Sequence, residues 1–102
     1  MVLKPEPIFK AVESIDSAFE RGRVLKAVAE RTDASPETIL AVLQSTRGVS
    51  SSFEASQVLI AVASYHPVSG SARDAYIDAA EKLGDFEQGR VLSALVKNER
   101  RK

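Results

Sequence analysis

His66 is the only histidine of the 102-residue chain, which contains no cysteine. A zinc site needs several imidazole, thiolate or carboxylate ligands, and a serine nucleophile needs an imidazole that is oriented by an acid. Serines cluster at 50–52, 69 and 71, but no Gly-x-Ser-x-Gly elbow surrounds them and no acid is identifiable as a partner of His66. Because His66 precedes Pro67 at the end of a predicted helix, we interpret it as a C-terminal cap. The sequence therefore predicts a protein that is not an enzyme, with no catalytic, metal-binding or cofactor-binding residue.

Three carboxylates, Glu20, Glu54 and Glu87, occur at one position of an internal repeat. Aligned carboxylates could bind a metal ion, but helices that pack side by side place them about 10 Å apart, too far to share one cation. Ser17 and Ser51 each precede a glutamate by three residues, which is the pattern of a capping box. We therefore assign these glutamates to helix N-termini.

Arg23 and Arg90 occupy equivalent positions in the repeat, and Gln57 occupies the position between them. Such a series could line one face of the molecule and meet an acidic partner. Salt bridges to Glu20 and Glu87, one helical turn earlier, would explain the two arginines equally well. We predict the series Arg23, Gln57 and Arg90 as the candidate partner-binding site.

The C-terminal tail carries four cations, which are Lys97, Arg100, Arg101 and Lys102. It suggests an alternative function, a nucleic-acid-binding helical-repeat protein that uses this tail together with Arg23 and Arg90. Cations are also favoured at a helix C-terminus by the helix dipole. The 14 basic side chains equal the 14 acidic ones, so the chain has no general attraction for nucleic acid or an anionic membrane. We therefore rank an unidentified protein above nucleic acid as the partner.

The elements that would position these residues are set by a motif that is written three times. The pattern Phe-Glu-x-x-x-Val-Leu-x-Ala begins at Phe19, Phe53 and Phe86. A period of about 34 residues is typical of helical-repeat arrays. The sequence predicts an all-α fold in a single domain, residues 1–102. Its architecture would be a HEAT-like α-solenoid of three helical hairpins and six helices, with repeats near 5–32, 35–66 and 69–99.

Capping signals mark the ends of the six predicted helices. The first is short, from Glu6 to Ser14. The later helices are expected to start after caps at Ser17, Ser35, Ser51, Ser71 and Asp85 or Gly84. We expect Gly48 to end the third helix in a left-handed conformation, and the tail Asn98–Lys102 to fray.

An aliphatic residue precedes each repeated phenylalanine at the corner between two helices. These residues are Ile15, Val49 and Leu83. In a hydrophobic staple, the residue before the cap packs onto the first turns of the next helix. We therefore expect each phenylalanine to pack beside its aliphatic residue.

The repeat also resembles a known family. The unit Leu83-Gly84-Asp85-Phe86-Glu87-x-x-Arg90-Val91-Leu92, and its first copy around Phe19, resemble helical repeats attached to bacterial BlaR-type sensor/antirepressor membrane metallopeptidases. The pattern there is roughly Ile-Ser-Ser-Asp-Tyr-Glu-x-x-Arg-x-Leu-x-x-Leu. This chain has Phe in place of Tyr in every copy, Gln57 in place of one Arg, and an Asp before the aromatic residue only at Asp85.

The resemblance implies an appended, extracytoplasmic (periplasmic) repeat domain with an interaction role, as the C-terminal domain of a larger bacterial protein. The peptidase activity does not carry over, because this chain has no His-Glu-x-x-His zinc motif. The segment around Leu83-Gly84 also resembles the inter-helix segment of a tetratricopeptide repeat, and HEAT-like hairpins accommodate both resemblances. Without the resemblance, a cytoplasmic location is the expectation.

Two apolar residues near the N-terminus, Val2 and Leu3, have no assigned place in the core. A terminal repeat with an apolar outer face tends to associate. We predict weak self-association through this end, with the other end protected by the basic tail. No apolar run reaches the length that spans a bilayer, so we expect no membrane insertion by this chain.

Overall fold

The structure is a computed structural model that describes residues 18–100. Within this range the chain forms five α-helices and no strand, which confirms the predicted all-α class. The helices are α1 (Ala18–Ala29), α2 (Pro36–Thr46), α3 (Ser52–Tyr65), α4 (Ser71–Ala80) and α5 (Asp85–Arg100). The predicted helix Glu6–Ser14 and the cap Ser17 lie outside the described residues. The expected count of six is therefore corrected to five for residues 18–100.

The five helices pack in two layers. Helix α3 packs against α1 on one side and α5 on the other, and α1 does not contact α5. Helices α2 and α4 pack against each other and form the second layer. We call the first the three-helix layer and the second the two-helix layer. Each connection leads from one layer to the other, so α1, α3 and α5 all run in the same direction.

The core lies around α3, which has neighbours on both sides. Its buried residues are Ala55, Ser56, Val58, Leu59, Ala61, Val62 and Ala63. Leu25 of α1 and Val91 of α5 are also fully buried. A helix that is apolar around most of its circumference requires cover from several neighbours, which the central position of α3 provides.

Two of the predicted caps have the expected geometry. The side chain of Ser35 accepts a hydrogen bond from the Thr38 amide at 3.1 Å, and Ser51 accepts one from the Glu54 amide at 3.2 Å. Each bond satisfies an amide of the first turn that has no partner within the helix. The starts of α2 and α3 are therefore fixed by local sequence.

Two other predicted helix ends are wrong. Ser71 is the first residue of α4 and does not cap it; Gly70, with φ at 59°, takes the cap position without a side-chain bond. Arg47, the residue that caps the C-terminus of α2, has a right-handed conformation, and Gly48 is not a left-handed stop. The backbone amides of Arg47 and Gly48 close the last turn instead.

Polar side chains from the next repeat close the C-terminal ends of α1 and α3. The Nε2 of His66 lies 2.7 Å from the Ala29 carbonyl, so that nitrogen donates. The Asn98 amide donates to the Ala63 and His66 carbonyls at 2.8 and 2.7 Å, and its oxygen accepts from the Val68 amide at 3.2 Å. Because helix ends leave carbonyls without partners, these bonds allow both ends to be buried.

Two predictions bear on these residues. His66 is confirmed as the C-terminal cap residue of α3, although its ring bonds the end of α1 and not its own helix. The expected fraying from Asn98 onward is wrong as far as Arg100, because α5 continues to that residue. Asn98 is only 6% exposed and is the most completely bonded side chain at this end of the layer.

Candidate interaction face

The N-terminal ends of α1, α3 and α5 lie side by side. A guanidinium nitrogen of Arg21 in α1 donates to the Gly48 carbonyl, just before α3, at 3.0 Å. The Gly84 amide, just before α5, donates to the Ser52 hydroxyl of α3 at 3.3 Å. Residues in the first turns of these three helices therefore share one end of the three-helix layer.

Gly22 allows α1 to approach α3 closely at this end. It is buried, and a Cβ added to it would lie 2.9 Å from the Cβ of Glu54. Contacts this short do not occur between real side chains, so any larger residue would force the two helices apart. Glycine at this position fixes the spacing between the first turns of α1 and α3.

The three repeated phenylalanines are exposed at this end. Phe19, Phe53 and Phe86 expose 54%, 55% and 72% of their surface. Phe53 and Phe86 are therefore not buried beside Val49 and Leu83 as a staple predicts, and the third predicted pairing, of Phe19 with Ile15, lies outside the described residues. Ser51 is the cap of α3, so Phe53 is the second helical residue and points outward, whereas Ala55, the fourth, faces the core. We call Phe19, Phe53 and Phe86 the aromatic row.

Two of the predicted partner-binding residues lie on the aromatic row. The guanidinium carbon of Arg23 is 5.6 Å from the Phe19 ring centroid, and that of Arg90 is 5.9 Å from the Phe86 centroid. These distances are within the range of cation–π contacts. Arg90 forms no ion pair with Glu87 in the described range, so the structure favours stacking on Phe86 over the salt bridge at this position.

Gln57 occupies the equivalent position on α3 and is half-buried. The structure places Arg23, Gln57 and Arg90 on the three helices of the three-helix layer and does not gather them into one pocket. Neighbouring helix axes lie about 10 Å apart, so the two arginines are separated by roughly 20 Å. We call the aromatic row together with Arg23, Gln57 and Arg90 the interaction face.

An open groove between α3 and α5 continues the interaction face. It has a volume of about 750 Å³, and both Phe86 and Arg90 line it. Ile60 contributes an apolar patch, and Lys97 lies toward the C-terminal end of α5. The groove was not predicted from the sequence. Its one signal is Ile60, which replaces the polar residues found at this position in the other two repeats.

Tyr76 is the one described residue whose pKa is strongly shifted by burial. It lies in α4, is fully buried, and donates its hydroxyl hydrogen to the Val91 carbonyl of α5. Burial raises the pKa of the Tyr76 phenol far above its usual value, because the phenolate would lose its hydration. This tyrosine therefore links the two layers as a neutral donor and lies away from the interaction face.

The described residues contain no group of three or more side chains that could hold a metal ion. Between Ala18 and Arg100, no helix has the length and apolar character needed to cross a membrane. The chain matches no protein-family model, and no curated protein or solved structure is significantly similar to it. Arguments about function therefore depend on the geometry of the interaction face.

Proposed function

We propose that the chain is a non-catalytic protein–protein interaction module that binds its partner through the interaction face. We further propose that its helical hairpins stack as a HEAT-like α-solenoid. The observation that carries the functional proposal is the exposure of three repeat-equivalent phenylalanines on adjacent helix N-termini. The layered packing of α1, α3 and α5 supports the architecture.

The aromatic row has the chemistry of a binding surface. An exposed phenylalanine adds nothing to the core, and its burial by a partner releases water from a large apolar area. Aromatic and arginine side chains are enriched at the centres of protein interfaces. The stacked Arg23 and Arg90 would present guanidinium groups beside the rings, where they can bind carboxylates of the partner in bidentate fashion.

The dimensions of the interaction face favour an extended segment as the ligand. Two helix spacings give a length of roughly 20 Å, and an extended chain rises about 3.3 Å per residue. A segment of about six residues would cross all three helices. We propose that such a segment places apolar side chains between the phenylalanines and acidic side chains near both ends.

Acidic neighbours make nucleic acid the weaker candidate. Each phenylalanine of the aromatic row is followed directly by a glutamate, at positions 20, 54 and 87. A nucleic acid carries a phosphate at every nucleotide and would meet all three carboxylates, whereas a peptide can confine its acidic side chains to the positions of Arg23 and Arg90. A single strand could stack its bases on exposed rings, so oligonucleotides belong in the test as a second ligand class.

The resemblance to BlaR-type repeats supports a wider proposal, in which the module is the C-terminal, extracytoplasmic part of a larger bacterial protein. The motif around Phe86 and Arg90 carries this likeness. The genomic sequence upstream of Met1 tests it. A long open frame that encodes membrane helices would support the proposal, and an isolated short gene would contradict it.

A displayed library of random peptides tests the binding proposal on the intact chain. We expect selected peptides to combine aromatic or aliphatic residues with acidic ones. Calorimetric titration should show that Phe53→Ala weakens their binding by at least about tenfold, the scale of a central anchor. Tyr65→Ala is the matched control, because Tyr65 is an exposed aromatic residue at the opposite end of the same helix.

Two outcomes would contradict the proposal. One is a selected peptide whose affinity falls with Tyr65→Ala and not with Phe53→Ala. The other is a preference for oligonucleotides. In fluorescence anisotropy at low salt, salt-dependent binding of single strands that is lost in an Arg23→Ala/Arg90→Ala variant would favour the nucleic-acid function.

A further inference from the structure

Helix α5 carries an exposed apolar stripe that begins at the edge of the groove shared with α3 and continues onto the outer side of α5. Leu92 and Val96 expose 38% and 48% of their surface, and Gly89 lies one turn before Leu92 on the same side. We call Gly89, Leu92 and Val96 the α5 stripe. It lies outside the aromatic row, so the inference below does not rest on the proposed function.

The repeat shows what this stripe does in the other two helices of the layer. Its equivalents are Gly22, Leu25 and Ala29 in α1, and Ser56, Leu59 and Ala63 in α3. All six are buried. Gly22 and Ala29 meet Glu54 and His66 from the α3 repeat, and Ala63 meets Asn98 of α5. The same stripe is therefore a helix-packing surface in α1 and α3, and in α5 it is without cover from residues 18–100.

Gly89 has no side chain, which leaves space for a helix from another molecule to approach α5 closely. A Cβ added at Gly89 would meet no atom within 4 Å, whereas one added at its equivalent Gly22 would meet Glu54 at 2.9 Å. A glycine inside an exposed helix lowers helix stability by about 1 kcal/mol relative to alanine. No neighbour within the described residues requires a glycine here, but a close helix from another molecule would.

The charges at the two ends of the α5 stripe indicate which helix from another molecule would pack on it. Asp85 lies at the N-terminal end and Arg100 at the C-terminal end, and both are exposed. Neither forms an ion pair within residues 18–100. Because the stripe is centred on Leu92 and Ser93, an antiparallel copy of α5 would place each Asp85 opposite Arg100 of the second copy. The same register places Val96 of the second copy over Gly89.

We propose that the chain forms a two-fold dimer in which α5 packs antiparallel on α5 of a second copy. A two-fold axis makes each contact occur twice, so one charge pair and one Val–Gly contact each count double. The stripe is short, and a single pair of helices buries less than the roughly 1,200 Å² of a standard interface. The dimer is therefore a weak one. Here Arg100 contributes to association, in contrast to the protection of this end that the sequence suggested.

Sedimentation equilibrium of the intact chain over a concentration series tests the proposed register. Asp85→Arg and Arg100→Asp each create two like-charge contacts, and we expect each to weaken the dimer by at least about tenfold. The double variant Asp85→Arg/Arg100→Asp restores opposite charges and should return the affinity to near that of the original chain. A chain that stays monomeric throughout, or a double variant as weak as the single ones, would overturn the proposal.

A second set of variants separates this surface from the N-terminal residues Val2 and Leu3. Val96→Lys should abolish the dimer, and removal of Met1–Lys4 should leave it unchanged. Tyr65→Lys is the control, because it places the same charge on an exposed site of α3. Circular dichroism checks that the helices are retained. A dimer that survives Val96→Lys and disappears without Met1–Lys4 would contradict the proposal and favour the N-terminal surface.

Discussion

The two ends of the three-helix layer differ in which side chains they bury and which they expose. At the C-terminal end, His66 and Asn98 are buried and bonded to backbone carbonyls of the preceding repeat. At the N-terminal end, Phe19, Phe53 and Phe86 are exposed. The usual distribution, apolar inside and polar outside, is reversed at both ends. One end therefore stabilises the stack of repeats, and the other is available to a partner.

Backbone hydrogen bonding explains why the two ends differ. The last carbonyls of a helix have no partner within the helix, and a neighbouring repeat covers them here, so that repeat must supply donors. At the start of α3, the Glu54 amide is bonded locally by the Ser51 side chain. Side chains also bond between repeats at this end, from Arg21 to the Gly48 carbonyl and from the Gly84 amide to Ser52, but these bonds leave the outward positions of the first turn open to phenylalanine.

The largest expected effect concerns Asn98. Asn98→Ala removes three hydrogen bonds, those to the Ala63 and His66 carbonyls and the one from the Val68 amide, and leaves the His66 carbonyl and the Val68 amide without the Asn98 side chain. Each unsatisfied buried group costs about 1–3 kcal/mol, so we expect the free energy of unfolding to fall by about 3 kcal/mol. Urea denaturation measures it. Lys97→Ala, an exposed neighbour in the same helix, should change it little, and equal losses for both variants would refute the role of Asn98.

His66 should have a smaller effect because it makes one such bond. We expect His66→Ala to lower the free energy of unfolding by about 1–2 kcal/mol, through the unsatisfied Ala29 carbonyl. His66→Gln retains a donor and should lose less. Tyr65→Ala serves as the control on the exposed side of the same turn. Thermal unfolding at neutral pH ranks the stabilities of the three variants. If Tyr65→Ala were the least stable, the stabilising role of the buried His66 bond would be contradicted.

Tyr76 provides a buried polar bond between the layers, and it makes stability depend on alkaline pH. Its folded-state pKa is raised by burial, so above about pH 10 the unfolded chain loses a proton that the folded chain keeps. Stability contributed by this group is complete below pH 10 and falls as pH rises, by up to about 1.4 kcal/mol per pH unit.

A difference measurement isolates this tyrosine from the lysines that titrate in the same range. The pH slope of the free energy of unfolding between pH 9 and 11 should be shallower for Tyr76→Phe than for the original chain. Tyr65→Phe, the same substitution at an exposed site, is the control. Identical slopes for the three proteins would show that Tyr76 ionises as readily in the folded state.

The smallest effect on stability is expected at the aromatic row. Phe53→Ala should lower the free energy of unfolding by less than about 1 kcal/mol, because the ring is already largely in water. Leu59→Ala, in the fully buried part of the same helix, should lower it by about 2–5 kcal/mol. Chemical denaturation compares the pair. Similar losses at the two positions would mean that Phe53 belongs to the core and not to the interaction face.

The fold class and the starts of two helices could be predicted from local sequence patterns. Ser35 and Ser51 determine where α2 and α3 begin, because each bonds an amide three residues away. The role of Asn98 depends on the register between α3 and α5, which no local pattern encodes. The residue at which α3 begins also determines which side chains of its first turn face the core. Because Ser51 is the cap, Phe53 faces solvent, although its hydrophobicity alone would predict burial.

The candidate site was predictable in part, because the repeat alignment relates equivalent positions on different helices. Repeat alignment places Arg23, Gln57 and Arg90 on equivalent helices of the three repeats, and the structure has them there. The repeat alignment alone does not predict that the arginines stack on phenylalanines, because a glutamate also lies one turn before each arginine. The stacking is seen only in the structure. The groove beside Ile60 depends on how α3 and α5 fit together, and the repeat alignment indicates only that Ile60 replaces a polar residue at this position.

The division of roles between the two ends is tested most directly by nuclear magnetic resonance. A ¹⁵N-labelled sample of the intact chain is titrated with a peptide selected from the displayed library, and amide shifts are followed for every assigned residue. We predict the largest shifts in the first turns of α1, α3 and α5, around Phe19, Phe53 and Phe86, with little change around His66 and Asn98. Shifts concentrated around His66 and Asn98, with the aromatic row unaffected, would contradict the account.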